Sequence, residues 1–189
     1  MESPPLANQA QARVRWAERL DARAVAYILA DGFHPPQNQG WLRWVHPWLR
    51  AGMVQDIENR LLRPAQSYAC LVAVVGEACV GTVEIAQRPI PGDWWWLGQN
   101  TRDPIYISNL AVAQSWRRQG VARLLLHKAE HVAQSWQQNQ IYLHVMADNP
   151  GALKLYTTAG YRVERVERTW PFLSAQPVNK LLMRKGLSR

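Results

Sequence analysis

The chain has 189 residues, 48% of them hydrophobic, enough to build the core of one domain and too many for a disordered chain. Lys and Arg number 22 against 14 Asp and Glu, a net charge of +8, and 18 of the 22 cations are arginine. That excess suits an anionic partner such as a phosphate, a nucleic acid or an acidic cofactor, or else it is a solvated basic face. No basic run exceeds two residues, so a nucleic-acid-binding arm is not indicated.

No apolar run reaches eighteen residues without a charge, and residues 1–16 lack the apolar stretch of a secretory signal. The expectation is a cytoplasmic protein with no membrane partner. Two cysteines, Cys70 and Cys79, are too few for a disulfide framework or, by themselves, a zinc site, so no metal is expected.

In chain order, residues 1–12 are polar with a proline pair and read as a flexible N-terminal tail, leaving 13–189 as a single domain. Val14 to Glu18 suits a short strand. Asp21 stands as the N-cap of a helix over 22–31, ended near Gly32 and Pro35. After a polar loop, residues 41–63 predict one or two helices, the second starting near Pro47. Trp41, Trp44 and Trp48 recur there at helix-like spacing and read as core. Ser67–Val75 and Ala78–Gln87 predict a β-hairpin through the two-residue turn Gly76-Glu77. That turn pairs Val74 with Cys79 and Cys70 with Val83. The thiols then lie on one face, roughly 13 Å apart at ~3.3 Å per residue, too far for a disulfide.

In this hairpin Thr82 and Glu84 share one face and Val83 and Ile85 the other. Glu84 is either a base acting on an ammonium or an exposed strand carboxylate. Within the long loop that follows, Trp94, Trp95 and Trp96 cannot all face one core, so at least one meets a groove, a partner or a second subunit. Ile105–Val112 predicts an apolar strand in which Ser108 and Asn109 are polar and suited to orienting a water. Val121, Leu124, Leu125, Ala129, Val132 and Trp136 mark a helix over 121–137. Ile141–Met146 is a strand, 150–159 a helix ending at Gly160, and 161–168 and 180–184 the last strands. The order is that of a mixed α/β fold. His127 and His131, one turn apart without a third ligand, read as a solvated helix face, and His144 in the fifth strand as structural.

The chemistry concentrates between Val112 and Ala122. A strand ends, a polar turn with Arg117, Arg118 and Gln119 follows, and Gly120 opens a helix. Unpaired amides and the dipole at a helix start form an anion cradle, and glycine allows close backbone approach. The Lys-Ser/Thr pair of a Walker loop and the extra glycines of a dinucleotide fingerprint are both absent. A second cluster, Asp148-Asn149-Pro150, joins a strand to a helix, with Asn149 as N-cap, Pro150 at the first helical position and Gly160 as the αL stop.

Arg117-x-x-Gly120-x-Ala122 resembles the Arg/Gln-x-x-Gly-x-Gly/Ala motif of the GNAT N-acetyltransferases. Asn149-x-x-Ala152-x-x-Leu155-Tyr156-x-x-x-Gly160-Tyr161 resembles the motif that follows their fifth strand. The order and interval of the two are right, and the likeness covers residues 67–168 well. It implies a mostly antiparallel, twisted sheet of about seven strands, splayed between the fourth and fifth and flanked by about four helices.

It also implies acetyl-CoA as co-substrate. Arg117, Arg118, Gln119, Gly120, Val121 and Ala122 would hold its pyrophosphate, and Leu110, Ala111 and Val112 its pantetheine arm. The amide of Leu110 or Val112 would polarise the acetyl oxygen. Asn149 would touch the same arm while capping its helix, and Tyr156 would serve the departing sulfur. Both cysteines lie away from these motifs, so direct attack by the amine is expected.

By general similarity the chain looks most like the plastid and cyanobacterial enzymes that acetylate protein N-termini and lysines. A protein or peptide amine is therefore the first acceptor, with the early helices and residues 169–179 as groove walls. A small amine such as a polyamine, amino acid or drug comes second, and a nucleic-acid-binding module is a remote third. The chain is expected to be a monomer or homodimer.

Overall fold

The computed structural model describes residues 11–33, 54–62, 67–90, 103–169 and 178–187. The readings of residues 1–10 of the tail, of the six tryptophans at 41–48 and 94–96, and of residues 170–177 lie outside these segments. Strand β1 (Arg13–Trp16) is followed by helix α1 (Ala22–Phe33), helix α2 (54–62), the hairpin β2 (Tyr68–Val75) and β3 (Ala78–Gln87), and β4 (Ile105–Val112). Helix α3 (Val121–Ser135), β5 (Gln140–Met146), α4 (Pro150–Thr158), β6 (Arg162–Thr169) and β7 (Val178–Gly186) complete it. Among the described residues no helix is long and apolar enough to cross a membrane.

The strands form one sheet in the order β1-β2-β3-β4-β5-β7-β6. All neighbours are antiparallel except β4 and β5, which run parallel and pair only from Ile105–Ile107 to Ile141–Leu143. Beyond those residues the two strands part, giving the splay expected there. Among the described residues, the edge of β4 that faces β5 has no strand partner over residues 108–112.

Alternation sends Leu71, Ala73, Val83, Ile85, Ile107 and Leu143 to one side of the sheet, where Val121, Leu125, Ala129 and Val132 of α3 cover them. Leu126 lies in that core, whereas Leu124, expected there, is 39% exposed. The opposite side carries Val72 and Val74 under Ala22, Val25, Ala26 and Leu29 of α1 and Ile57 of α2. Each buried Leu or Val contributes roughly 1.5–3 kcal/mol of transfer free energy.

Two local expectations change. Asp21 does not cap α1. It closes a 3₁₀ turn, Arg19–Asp21, by accepting the Glu18 amide at 2.7 Å, and it binds Arg15 through two hydrogen bonds of 2.6 and 2.9 Å. The backbone enters α1 directly from that turn, so the side chain is already engaged. In the hairpin, Val74 faces Cys79 as expected, but a bulge follows. Ala73 pairs with Gly81 and Val80 is the extra residue, so Cys70 faces Glu84 rather than Val83. Both cysteines are free thiols, and burial pushes them up to about 12 and about 11 respectively, which keeps them protonated and unreactive.

Candidate active site

A cleft of about 610 Å³ lies between the diverging end of β4, the start of α3 and one face of α4. Its walls include Leu110, Ala111, Val112, Arg117, Arg118, Gly120, Val121, Ala122, Asn149 and Tyr156, brought together from three separate stretches of chain. Of the residues expected to hold a cofactor, Gln119 alone is not in the wall. Its side chain turns back to donate to the Ser115 carbonyl at 2.9 Å and braces the turn. Arg117 similarly donates from Nε to the Val112 carbonyl at 3.1 Å, tying the turn to the strand end.

Gly120 is the N-cap of α3 and has φ +82°, a left-handed conformation that favours glycine. A Cβ built there meets nothing within 4 Å, so the space above the glycine is open. No side chain caps α3 and no acidic residue stands in its first turn. Its first amides and its positive dipole end are thus free for an outside anion, with Arg118 and Arg123 at the rim. At α4 the situation is reversed, because Asn149 Oδ1 accepts the Ala152 amide at 3.0 Å and satisfies that end internally. The structure therefore assigns Asn149 the capping task and leaves only its amide nitrogen for the cleft. The pattern of Gly151, Leu155 and Thr158 along α4 marks its cleft face by helical spacing, a signal available in the sequence but not used there.

In the cleft wall, Tyr156 is 7% exposed, with its ring 5.9 Å from that of Tyr161. Burial, with Tyr106 nearby, pushes its phenol up to about 12, so it is a proton donor at neutral pH. Glu84 does not line the cleft. It is 2% exposed, and both its oxygens are engaged, one by Arg60 Nη1 of α2 at 2.7 Å and the other by Asn109 Nδ2 at 3.0 Å. Asn109 has φ +54° and sits where β4 holds one residue more than β3, a bulge between Ser108 and Ala111. Glu84 thus anchors the bulge at the splay, a positioning task, and a free base is not what its surroundings offer.

A different polar cluster stands at the mouth of the splay. His144 follows Leu143, the last residue of β5 paired with β4, and its side chain is 3% exposed. Tyr106 Oη lies 2.8 Å from His144 Nδ1, and His144 Nε2 lies 3.1 Å from Glu167 Oε2. Arg165 Nη2 holds the other Glu167 oxygen at 2.7 Å. Burial first, and the Lys180 charge second, depress the His144 pKa below its ordinary value, which keeps the ring neutral at pH 7. Burial opposes ionisation of Glu167, but hydrogen bonds from Arg165 and His144 outweigh it and hold the carboxyl below the usual range.

Residues 28–161 match the acetyltransferase (GNAT) family. The chain belongs to that family. It is 40% identical over 74 residues to GCN5-related N-acetyltransferase 4, chloroplastic, of Arabidopsis thaliana, covering 38% of this chain and 25% of that protein. It is 30% identical over 92 residues to human N-alpha-acetyltransferase 30, covering 49% and 23%. The chain thus spans about a quarter of the length of these relatives. Among solved structures the fold is similar to that of yncA from Salmonella typhimurium, determined with its cofactor acetyl-CoA. The TM-score there is 0.67 at 14% identity, over 95% of each chain.

For a GNAT chain the Tyr106–His144–Glu167 cluster has a defined protonation pattern. An ionised carboxylate only accepts, so His144 Nε2 carries the hydrogen and donates to Glu167. Nδ1 is then the lone pair that accepts from the Tyr106 hydroxyl. This is the order of a nucleophile-activating triad, with a hydroxyl, a base and an orienting anion. Sequence reasoning set His144 aside and did not single out Tyr106 or Glu167. The partners stand 38 and 23 residues away from His144. Only the strand pairing brings them together.

Proposed function

We propose that this chain is an acetyl-CoA-dependent N-acetyltransferase acting on protein amines. The observation that carries the reading is one cleft whose wall joins two chemically distinct groups. The uncapped α3 start with its open glycine and the Tyr156 side chain line the same cleft, beside a β4 edge that has no strand partner among the described residues. In this reading the amides of Val121 and Ala122, with Arg117 and Arg118, bind the pyrophosphate. The free edge of Leu110–Val112 hydrogen-bonds the pantetheine amides, and the amide of Leu110 or Val112 polarises the acetyl oxygen. When bound, acetyl-CoA supplies a thioester carbonyl for an amine to attack and a thiolate that leaves.

The chain's own residues move the protons. Tyr106 Oη takes a proton from the acceptor nitrogen as its own passes to His144 Nδ1, and the imidazolium so formed is held by Glu167. Tyr156 Oη gives a proton to the departing sulfur. Glu84 acts through Asn109 by fixing the bulge. A protein acceptor is supported by the likeness to an N-alpha-acetyltransferase, and either an N-terminal α-amine or a lysine suits the chemistry. A small amine is the second reading, and the buried, unreactive thiols favour direct attack in both.

The test is acetyl-CoA turnover against peptides with free or blocked N-termini, with and without lysine, alongside polyamines and amino acids, each read by mass spectrometry. Acetylated peptides are expected. Acetylation confined to small amines would move the assignment to the second reading, and no turnover with any amine would remove it.

A further inference from the structure

The charges that bear on the Tyr106–His144 pair are unbalanced. The Arg88 guanidinium lies over the Tyr106 ring, with Cζ 4.7 Å from the centroid, and its charge acts on the Tyr106 hydroxyl. Lys180 of β7 is the cross-strand partner of both Met146 and Glu167 and stands two residues from Leu182, which faces His144. Alternation therefore puts Lys180 on the same side of the sheet as His144, where its charge is felt by the ring. Arg165, opposite Leu182, shares that side and holds Glu167. Among the described residues, three cations, Arg88, Lys180 and Arg165, thus act on the pair against the carboxylate of Glu167, while Glu84, one pair along on the Tyr106 side of β3, is met by Arg60 and leaves that balance unchanged. His144 is neutral, so it does not restore the balance.

An acceptor amine must arrive at this place and lose its proton there. A positive surround makes an ammonium costly, and the cost falls least on an amine that is often neutral already. At pH 7.5 an α-amine, of pKa about 7.7–8.0, is neutral roughly a third of the time, whereas a lysine near 10.4 is neutral on the order of one time in a thousand. A polyamine brings further positive charges to the same place. Carboxylates next to the reacting amine gain from Arg88 and Lys180 what a cationic neighbour would lose.

We propose that the acceptor is the N-terminal α-amine of a peptide that carries Asp or Glu in its first few residues, recognised by Arg88 and Lys180 at the rim of the Tyr106–His144 pair. This rests on the protein-amine reading above.

The experiment compares kcat/KM for three peptides with free N-termini that differ only at residues 2–4, which are acidic, neutral or basic. An N-terminally blocked lysine peptide and spermidine are run beside them. The acidic peptide should exceed the basic one by about tenfold or more at low ionic strength, with the gap narrowing as salt screens the charges. Arg88→Glu should shrink or reverse the preference, and Lys180→Gln, which keeps the side chain polar, should weaken it without reversal. Equal kcat/KM for the three peptides, or a preference untouched in both folded variants, overturns the proposal and leaves peptide acetylation standing. Turnover of spermidine with none of the peptides overturns the protein-amine reading itself, and no turnover of any amine overturns both.

Discussion

Tyr156→Phe keeps the ring and removes one hydroxyl, so it separates a proton donor from a packing residue. The ring is 93% removed from solvent and sits against Tyr161, contacts that phenylalanine reproduces. No hydrogen bond joins the hydroxyl to another described residue. Its removal therefore breaks no partner's bond, and the melting temperature should change little. Had the hydroxyl been bonded, about 1 kcal/mol would be lost. Burial holds the phenol near 12, so it is fully protonated across the working range, and the variant loses a proton that is always present. General-acid contributions run to roughly 10²–10⁴-fold, so the chemical step should slow by at least about 10²-fold. The loss should fall on kcat rather than on cofactor affinity, because the interaction with sulfur develops in the transition state. The assay is a single-turnover measurement with enzyme in excess, which excludes product release, and calorimetry confirms that acetyl-CoA still binds. A single-turnover rate within about twofold of wild type, in a stable variant that binds acetyl-CoA, refutes the role given to Tyr156.

Gly120→Glu should abolish acetyl-CoA binding, because a side chain enters the open space above the α3 start with a charge of the wrong sign; unchanged calorimetric affinity in the folded variant would remove the cradle assignment. Gly81→Ala should destabilise by about 1–3 kcal/mol, since its Cβ would stand 3.0 Å from Leu125 Cδ1, 3.1 Å from the Ala111 carbonyl oxygen and 3.2 Å from Val121 Cγ1, a close packing of α3 on β3 that thermal melting reads directly. His144 has a pKa below its ordinary 6.5 in the folded protein, so below that value the unfolded chain binds more proton and stability falls as pH drops through the folded value; melting curves between pH 7.5 and 5 should show this loss in wild type and a smaller one in His144→Gln. Glu84→Gln leaves an acceptor for Asn109 but removes the charge that Arg60 meets, so stability should fall by roughly 1–3 kcal/mol while the acid limb of the pH–rate profile stays where it is; disappearance of that limb would make Glu84 the base after all.

What the chain specifies locally was legible from the residues in order. The Gly76-Glu77 turn, the α3 start at Gly120, and the Asn149-Pro150 entry into α4 each depend on backbone conformation and on neighbours within a few positions. Composition and motif spacing therefore locate them, and with them nearly all of the cleft wall. What the tertiary structure decided is which distant residues share a face and how strands are offset. The bulge at Val80 moved Cys70 from Val83 to Glu84, and no residue type announces that single extra position. Glu84 looked like a free carboxylate until Arg60 of α2 and Asn109 of the β4 bulge closed on it. Tyr106, His144 and Glu167 belong to three strands that meet through one short parallel ladder and one antiparallel partner strand. A two-residue alternation tells which side each side chain takes, but only the order of strands in the sheet decides what stands beside it.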